Sequence, residues 1–327
     1  MSDGAAKMEI ARPAGGGGHG KFISTMKRVS RYRGLYLILL PGLVFFAVFS
    51  YGPMYGIIMA FKSFNMKLGI WGSPWISPFY ENFRLIFINP EFTAAFGNTL
   101  IISFMKTVIG FPVPIVLAIV INELANKRFS RVIQTVYTFP HFLSWIILAG
   151  IVANLLGSDG VVNNFLTLMG GKPANFLMNA GAFRWLLVVT DIWKESGWST
   201  IMYLATIASI DVSQYESATI DGASRWQKAM YITLPGLSMM IVILLTLAIG
   251  NSMNSNFDQI FNLYNPATFS TGDVLDTYIY RLLSKTGLGY SFMTAVGLFK
   301  GVINFVLLMS ANQITKRING TGKSIFY

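Results

Sequence analysis

Gly34-Leu-Tyr-Leu-Ile-Leu-Leu40-Pro-Gly-Leu-Val-Phe-Phe-Ala-Val-Phe-Ser50-Tyr-Gly-Pro-Met-Tyr-Gly-Ile-Ile-Met-Ala60-Phe61 runs for 28 residues between Arg33 and Lys62 without one charge. Coiled as an α-helix it would rise about 42 Å, more than the roughly 30 Å hydrocarbon core of a bilayer. Five further stretches follow the same rule. Phe96–Asn122 is interrupted only by Lys106, and Val132–Ser158 and Ala229–Phe257 carry no charge. Trp185–Ile210 holds Asp191, Lys194 and Glu195, and Ser291–Thr315 holds Lys300. Six spans are therefore predicted, in an all-α integral membrane protein.

The composition agrees. Of 327 residues, 53% are hydrophobic and only 12% charged, half the charge that covers an ordinary soluble domain. The net charge of +11 would suggest nucleic acid in a soluble chain, but here it reads as the cationic flank of membrane spans, with no nucleic-acid partner. With the N-terminus inside, fifteen Lys and Arg fall on the cytoplasmic side, seven on the external side and three within spans. Basic residues concentrate on the cytoplasmic side of membrane proteins, so both termini are expected there.

The domain reading is a cytoplasmic tail over 1–33, its first ~20 residues disordered, a six-helix transmembrane body over 34–315, and a cytoplasmic tail over 316–327. No cleavable signal peptide is evident, and no loop is long enough for a soluble core. Cysteine is absent, and the two histidines, His19 and His141, cannot make a metal cluster. Gly320-Thr-Gly-Lys-Ser324 imitates the end of a phosphate-binding loop. The first glycine of that motif would fall on Arg317, and no helix can follow. This chain is expected to bind neither ATP nor any other cofactor.

The loop between the fourth and fifth spans is the most informative: Asp211-Val-Ser-Gln-Tyr-Glu216-Ser-Ala218-Thr-Ile-Asp221-Gly222-Ala223-Ser-Arg-Trp226-Gln-Lys-Ala-Met-Tyr-Ile232-Thr-Leu234-Pro235. Ser213 can cap a short helix to about Ile220. Asp221-Gly222 makes a turn, a second short helix runs to about Tyr231, and Pro235 can open the next span. The product is a helical elbow over 211–235 on the cytoplasmic side. Without further information it could be an ordinary amphipathic connector.

That loop resembles the EAA signature of ABC importer permeases: Glu-Ala-Ala, three residues, Gly, nine residues, Ile, one residue, Leu-Pro. Glu216, Ala218, Gly222, Ile232, Leu234 and Pro235 stand at those spacings, and Ser217 replaces one alanine. The resemblance implies a type I permease fold whose elbow is a coupling helix docking on an ATP-hydrolysing subunit. Small Ala218, Gly222 and Ala223 would allow close approach, Asp221 belongs to the same coupling set, and Glu216 could pair with a basic residue of the partner. Residues 36–207 are similar to the carbohydrate-uptake group, through Leu40-Pro-Gly42, Tyr51-Gly-Pro-Met-Tyr-Gly56, Asn98-Thr-Leu100, Asn122-Glu-Leu124 and Pro140-His-Phe-Leu-Ser-Trp145. Its oligosaccharide branch includes permeases for alginate and aldouronate oligosaccharides. The implied partners are a homologous second permease, two ATPase subunits carrying ATP and Mg, and an external solute-binding protein.

Charge inside a span is costly and so marks function or pairing. Asp191, Glu195 and Trp198 fall at i, i+4 and i+7, on one face of the fourth span. They can serve as internal ion pairs with Lys194, Lys106 or Lys300. Alternatively, as the resemblance implies, they line a sugar site together with Asn251, Asn254 and Ser255, which with Asp258 share a face of the fifth span. Two carboxylates cannot neutralise three lysines, so a free ammonium and an acidic oligosaccharide are expected, a neutral one being the alternative. A self-contained secondary transporter or channel using the Asp/Glu/Lys cluster as a relay is the rival reading. No HExxH or G-x-S-x-G motif supports a membrane hydrolase.

Overall fold

Polar caps and breakers decide where the apolar runs become helices. The computed structural model describes residues 32–254, 256–284 and 289–318. The glycine-rich tail, Ser255 and the Gly320–Ser324 imitation lie outside them. The chain divides into two compact units, the first ending at Gly56 and the second beginning at Ile57. In the first, helix α1 (Arg33–Phe45) contains Pro41 and passes into a π turn over Phe46–Tyr51. None of its residues is buried in the chain. A helix that is apolar all round has the surface of a segment solvated by lipid.

Among its described residues the second unit is helical, with one isolated antiparallel bridge between Lys62 and Trp75. After the 3₁₀ helix Gly52–Phe61 and a short turn of helix over Gly69–Gly72 come α2 (Glu81–Ile88) and α3 (Pro90–Met105), the latter capped by the Asn89 side chain with Pro90 in its first turn. A π turn over Lys106–Gly110 leads into α4 (Pro112–Asn122). Next come α5 (Lys127–Thr138), α6 (Trp145–Leu156) and α7 (Val161–Leu168), of which Asn126 and Ser144 cap the first two. The long α8 (Ala180–Ile207) begins at the Asn179 cap. The elbow supplies α9 (Val212–Ile220) and α10 (Arg225–Lys228). The chain then runs through α11 (Ser238–Gly250), α12 (Phe257–Leu263), α13 (Leu275–Ser284) and α14 (Gly289–Ile318).

Two of the predicted spans need correction. Val132–Ser158 is not one helix: Pro140 sits in a 3₁₀ turn over Phe139–Phe142 that separates α5 from α6, and the apolar helix extends over Trp145–Leu168 with a turn near Gly157. Ala229–Phe257 is bent by 59° between Gly236 and Ser238, and its helix stops at Gly250. By length and apolar composition, four helices qualify as spans among the described residues, or five with that bent pair. The fourth predicted span, α8, is a continuous 28-residue helix of about 42 Å, but Asp191, Lys194 and Glu195 break its apolar run.

Helix α8 is the axis of the second unit. Its Phe183 and Leu187 are wholly buried with Ile102 of α3, Leu148 of α6 and Ile260 of α12. Lower down, its Tyr203 and Ile207 pack with Ala118 of α4 and Leu237. A third core joins α2, α3, α13 and α14 through Ile86, Phe92, Tyr278 and Phe292. At Gly197, α8 passes so close to α5 that a Cβ would stand 2.3 Å from the Tyr137 carbonyl oxygen. Glycine is required there by contact rather than by torsion.

Candidate functional site: a cavity beside the long helix, and a cytoplasmic elbow

A cavity of ≈ 740 Å³ opens along α8, within the size range of small-molecule sites. Its walls follow α3 and α4 from Ser103 to Pro114 and α8 from Asp191 to Tyr203, a run of about 17 Å at 1.5 Å per residue. One end is polar, with Lys106, Asp191, Glu195, Asn251, Ser252, Asn254, Asn256 and Asp276; the other is lined by Pro114, Tyr203 and Leu244.

The polar end exists because a helix fails there. After Gly250 the chain makes turns rather than a helical ladder, and Asn256 takes a left-handed backbone at φ 59°. Irregular backbone at membrane depth is tolerated where it lines a polar cavity, and Asn251 and Asn254 both do so. The predicted shared helical face of Asn251, Asn254 and Asp258 is therefore corrected: the first two reach the cavity from a non-helical segment, and Asp258 is exposed away from it. The Asn251-Ser-Met-Asn-Ser-Asn256 run of weak helix formers signalled the break.

The charges at this end are matched. Lys106 Nζ lies 2.9 Å from Asp191 Oδ1 and also donates to Gln259 Oε1. Asn256 Nδ2 donates to the same Asp191 oxygen at 3.3 Å. Lys300 pairs with Asp276. Lys194 is buried and donates to the carbonyls of His141 (2.7 Å) and Leu143 (2.8 Å), with Glu195 at 3.9 Å. The expected free lysine is thus overturned. Asp276, which sits in a predicted loop and was not counted, supplies the third carboxylate. Glu195 reaches His141 Nδ1 at 2.8 Å.

The predicted trio divides. Asp191 and Glu195 line the cavity, whereas Trp198 does not: its ring stacks on His141, 4.8 Å away and nearly parallel at 6°. Asn256, Gln259 and Asp276 were missed: Asn256 stands at the end of a predicted span whose helix stops at Gly250, and Gln259 and Asp276 lie in the predicted loop beyond it.

The elbow forms as expected with one change. Asp211 caps α9 through the Ser213 N–H, in place of Ser213 itself, and that backbone hydrogen bond holds the Asp211 carboxyl below its ordinary value. Gly222 takes φ +78°. The Ala223 N–H returns to the Ala218 carbonyl at 2.9 Å and the Gly222 N–H to Thr219 at 3.1 Å, the Schellman pattern that ends a helix. Ser224 and Gln227 form a capping box that opens α10. Glu216, Ser217, Asp221, Gly222 and Pro235 are exposed, while Ala218, Ala223, Ile232 and Leu234 are half-buried. Ile220, Trp226 and Tyr231 project at 87%, 73% and 79% exposure, a large apolar surface for a polar loop.

Residues 110–320 match the family of binding-protein-dependent transport system inner membrane components. The chain belongs to that family. It is 40% identical to Protein LplB of Bacillus subtilis (strain 168) over 304 residues, covering 93% of this chain and 95% of that one. The polygalacturonan/rhamnogalacturonan transport system permease protein YteP of the same organism is 39% identical, over 88% of this chain and 89% of YteP. A crystal structure of a bacterial ABC transporter that imports the acidic polysaccharide alginate contains a chain of 40% identity, matched at TM-score 0.83 over 90% of this chain and 99% of that one. The protein is a permease subunit of an ABC importer in the inner membrane and not itself an enzyme; ATP hydrolysis lies with partner subunits. The secondary-transporter reading is set aside.

Proposed function

We propose that this permease carries an acidic oligosaccharide, and that the cavity beside α8 is its site in the membrane. The observation that carries the reading is the polar end: four asparagine and serine side chains on a broken helix beside charged pairs, at the π turn that follows α3 and midway along α8. Such an array suits a molecule rich in hydroxyls. The acidic class is supported by the relatives, since a 39% identical permease is named for polygalacturonan and a 40% identical chain belongs to an alginate importer. It is not supported by a net positive cavity, because the lysines are paired.

On this reading α8 is the fourth of six spans, its charges turned to partners rather than to lipid, and both termini and the elbow lie in the cytoplasm. The elbow docks on an ATPase subunit, with Glu216 and Gly222 at the contact and Ile220, Trp226 and Tyr231 supplying apolar area. A homologous second permease completes the pathway, a binding protein delivers the sugar outside, and ATP and Mg belong to the ATPase subunits. Nucleotide binding shifts the spans between inward- and outward-facing populations, and the elbow transmits the bias.

The test is ATPase stimulation in the reconstituted importer with its binding protein. Oligouronates are expected to stimulate, and neutral maltooligosaccharides of equal length to have little effect. Stimulation by the neutral sugars alone would reject the acidic class.

A further inference from the structure

We propose that Lys106 determines specificity by exchanging its partner: a carboxylate of the cargo replaces Asp191 on the ammonium. The inference rests on the acidic-cargo reading above and assigns the residue that would enforce it. Among the described residues Lys106 is the only cationic side chain on the cavity wall. It opens a π turn, Lys106–Gly110, and single π turns inside α-helices set side chains out of regular register, frequently at functional sites.

Two features make the pair exchangeable. The Lys106 and Asp191 side chains keep 13% and 21% of their surface accessible, and both face the cavity. Each has a second partner that holds it when the pair opens. Gln259 is locked, because its Nε2 donates to the Leu187 carbonyl at 2.7 Å and to Thr190 Oγ1 at 2.9 Å. Its Oε1 is thereby fixed toward Lys106 Nζ. Asp191 in turn keeps the Asn256 amide, so it is not left bare, the condition that makes breaking an ion pair costly.

An ammonium is a compact point charge with three donors, and it accepts one carboxylate as readily as another. An incoming uronate recovers at Lys106 the charge contact that it lost with water, at the expense of one equivalent contact inside the protein. A neutral sugar offers nothing that can open the pair. The lysines behind the wall are placed differently: Lys194 is spent on backbone carbonyls, and Lys300 reaches the site only through Asp276.

The experiment measures binding of a galacturonate tetrasaccharide, and of its fully methyl-esterified form, to the purified importer complex without binding protein. Lys106→Met is expected to raise the Kd of the acid at least tenfold and that of the ester less than twofold. Asp191→Asn, which removes the ammonium's carboxylate and leaves it on Gln259, is expected to lower the acid's Kd at least threefold and to change the ester's less than twofold. Equal effects of Lys106→Met on both probes, or no effect on either, would overturn the assignment. Should that variant fail to assemble, Asp191→Asn decides alone, and a weaker or unchanged acid Kd overturns it. A wild-type complex that binds only the ester, or neither probe, overturns the acidic-cargo reading itself and Lys106 with it.

Discussion

Gly197→Ala is the substitution whose effect the geometry specifies most closely. A Cβ on Gly197 would stand 2.3 Å from the Tyr137 carbonyl oxygen, 2.7 Å from its carbon and 2.8 Å from the Thr138 Cα. All three are backbone atoms, so no rotamer change relieves the clash, and α8 and α5 must separate by about 1 Å to restore a normal carbon–oxygen contact. Overpacking costs about 1–3 kcal/mol, and a rigid backbone neighbour places this site at about 3 kcal/mol. At roughly 2 °C per kcal/mol for a large chain, the apparent Tm of the purified complex should fall by about 6 °C. Function should fall further, because the crossing also sets the Tyr137–Ser196 hydrogen bond of 2.9 Å and the nearby His141–Glu195 contact of 2.8 Å. The assay is thermal unfolding together with sugar uptake in proteoliposomes. Gly150→Ala is the comparator, since a Cβ there meets nothing within 4 Å in this chain. A Gly197→Ala complex that melts with the Gly150→Ala complex and transports at the wild-type rate would refute the close-crossing argument.

Three further outcomes are expected. Gly222→Trp adds a side chain where φ is +78°, a backbone cost of about 1–2 kcal/mol, and like Glu216→Lys it should abolish transport while the chain still inserts; normal sugar-stimulated ATPase activity in the Gly222→Trp complex would contradict docking at the elbow. A reporter fused after Tyr327 should be active only in the cytoplasm, and one inserted near Gly171 only outside, the reverse pair of results inverting the topology. Asp276→Asn leaves Lys300 without its carboxylate and should destabilise the complex by about 2 kcal/mol, seen as a lower Tm. Adding Lys300→Met should restore most of that loss, and an additive double mutant would mean that the pair contributes nothing.

Much of the architecture was legible because it is local. Charge-free runs longer than a bilayer is thick can only be helices in lipid, where each backbone group must find its partner within the segment. The elbow was equally local: Gly222 is the residue that tolerates a left-handed turn, and the α9 cap and Ser224 act on N–H groups two or three residues away. Even the break in the third predicted span could have been read from Pro140, since the residue before a proline resists helix.

The tertiary structure alone decided which polar groups meet. Lys106 and Asp191 are 85 residues apart in the chain and Lys300 and Asp276 are 24 apart; counting charges within spans cannot pair them, because the partner need not lie in a span. Helical periodicity placed Trp198 with Asp191 and Glu195, but His141, from a turn more than fifty residues earlier, claims that ring. The chain abandons its helix after Gly250 where the freed backbone borders the cavity at Asn251, and a cavity is made by several helices at once. Local sequence sets what each segment can be in lipid; the meeting of distant segments sets where charge is neutralised and where a hydroxyl-rich molecule finds partners.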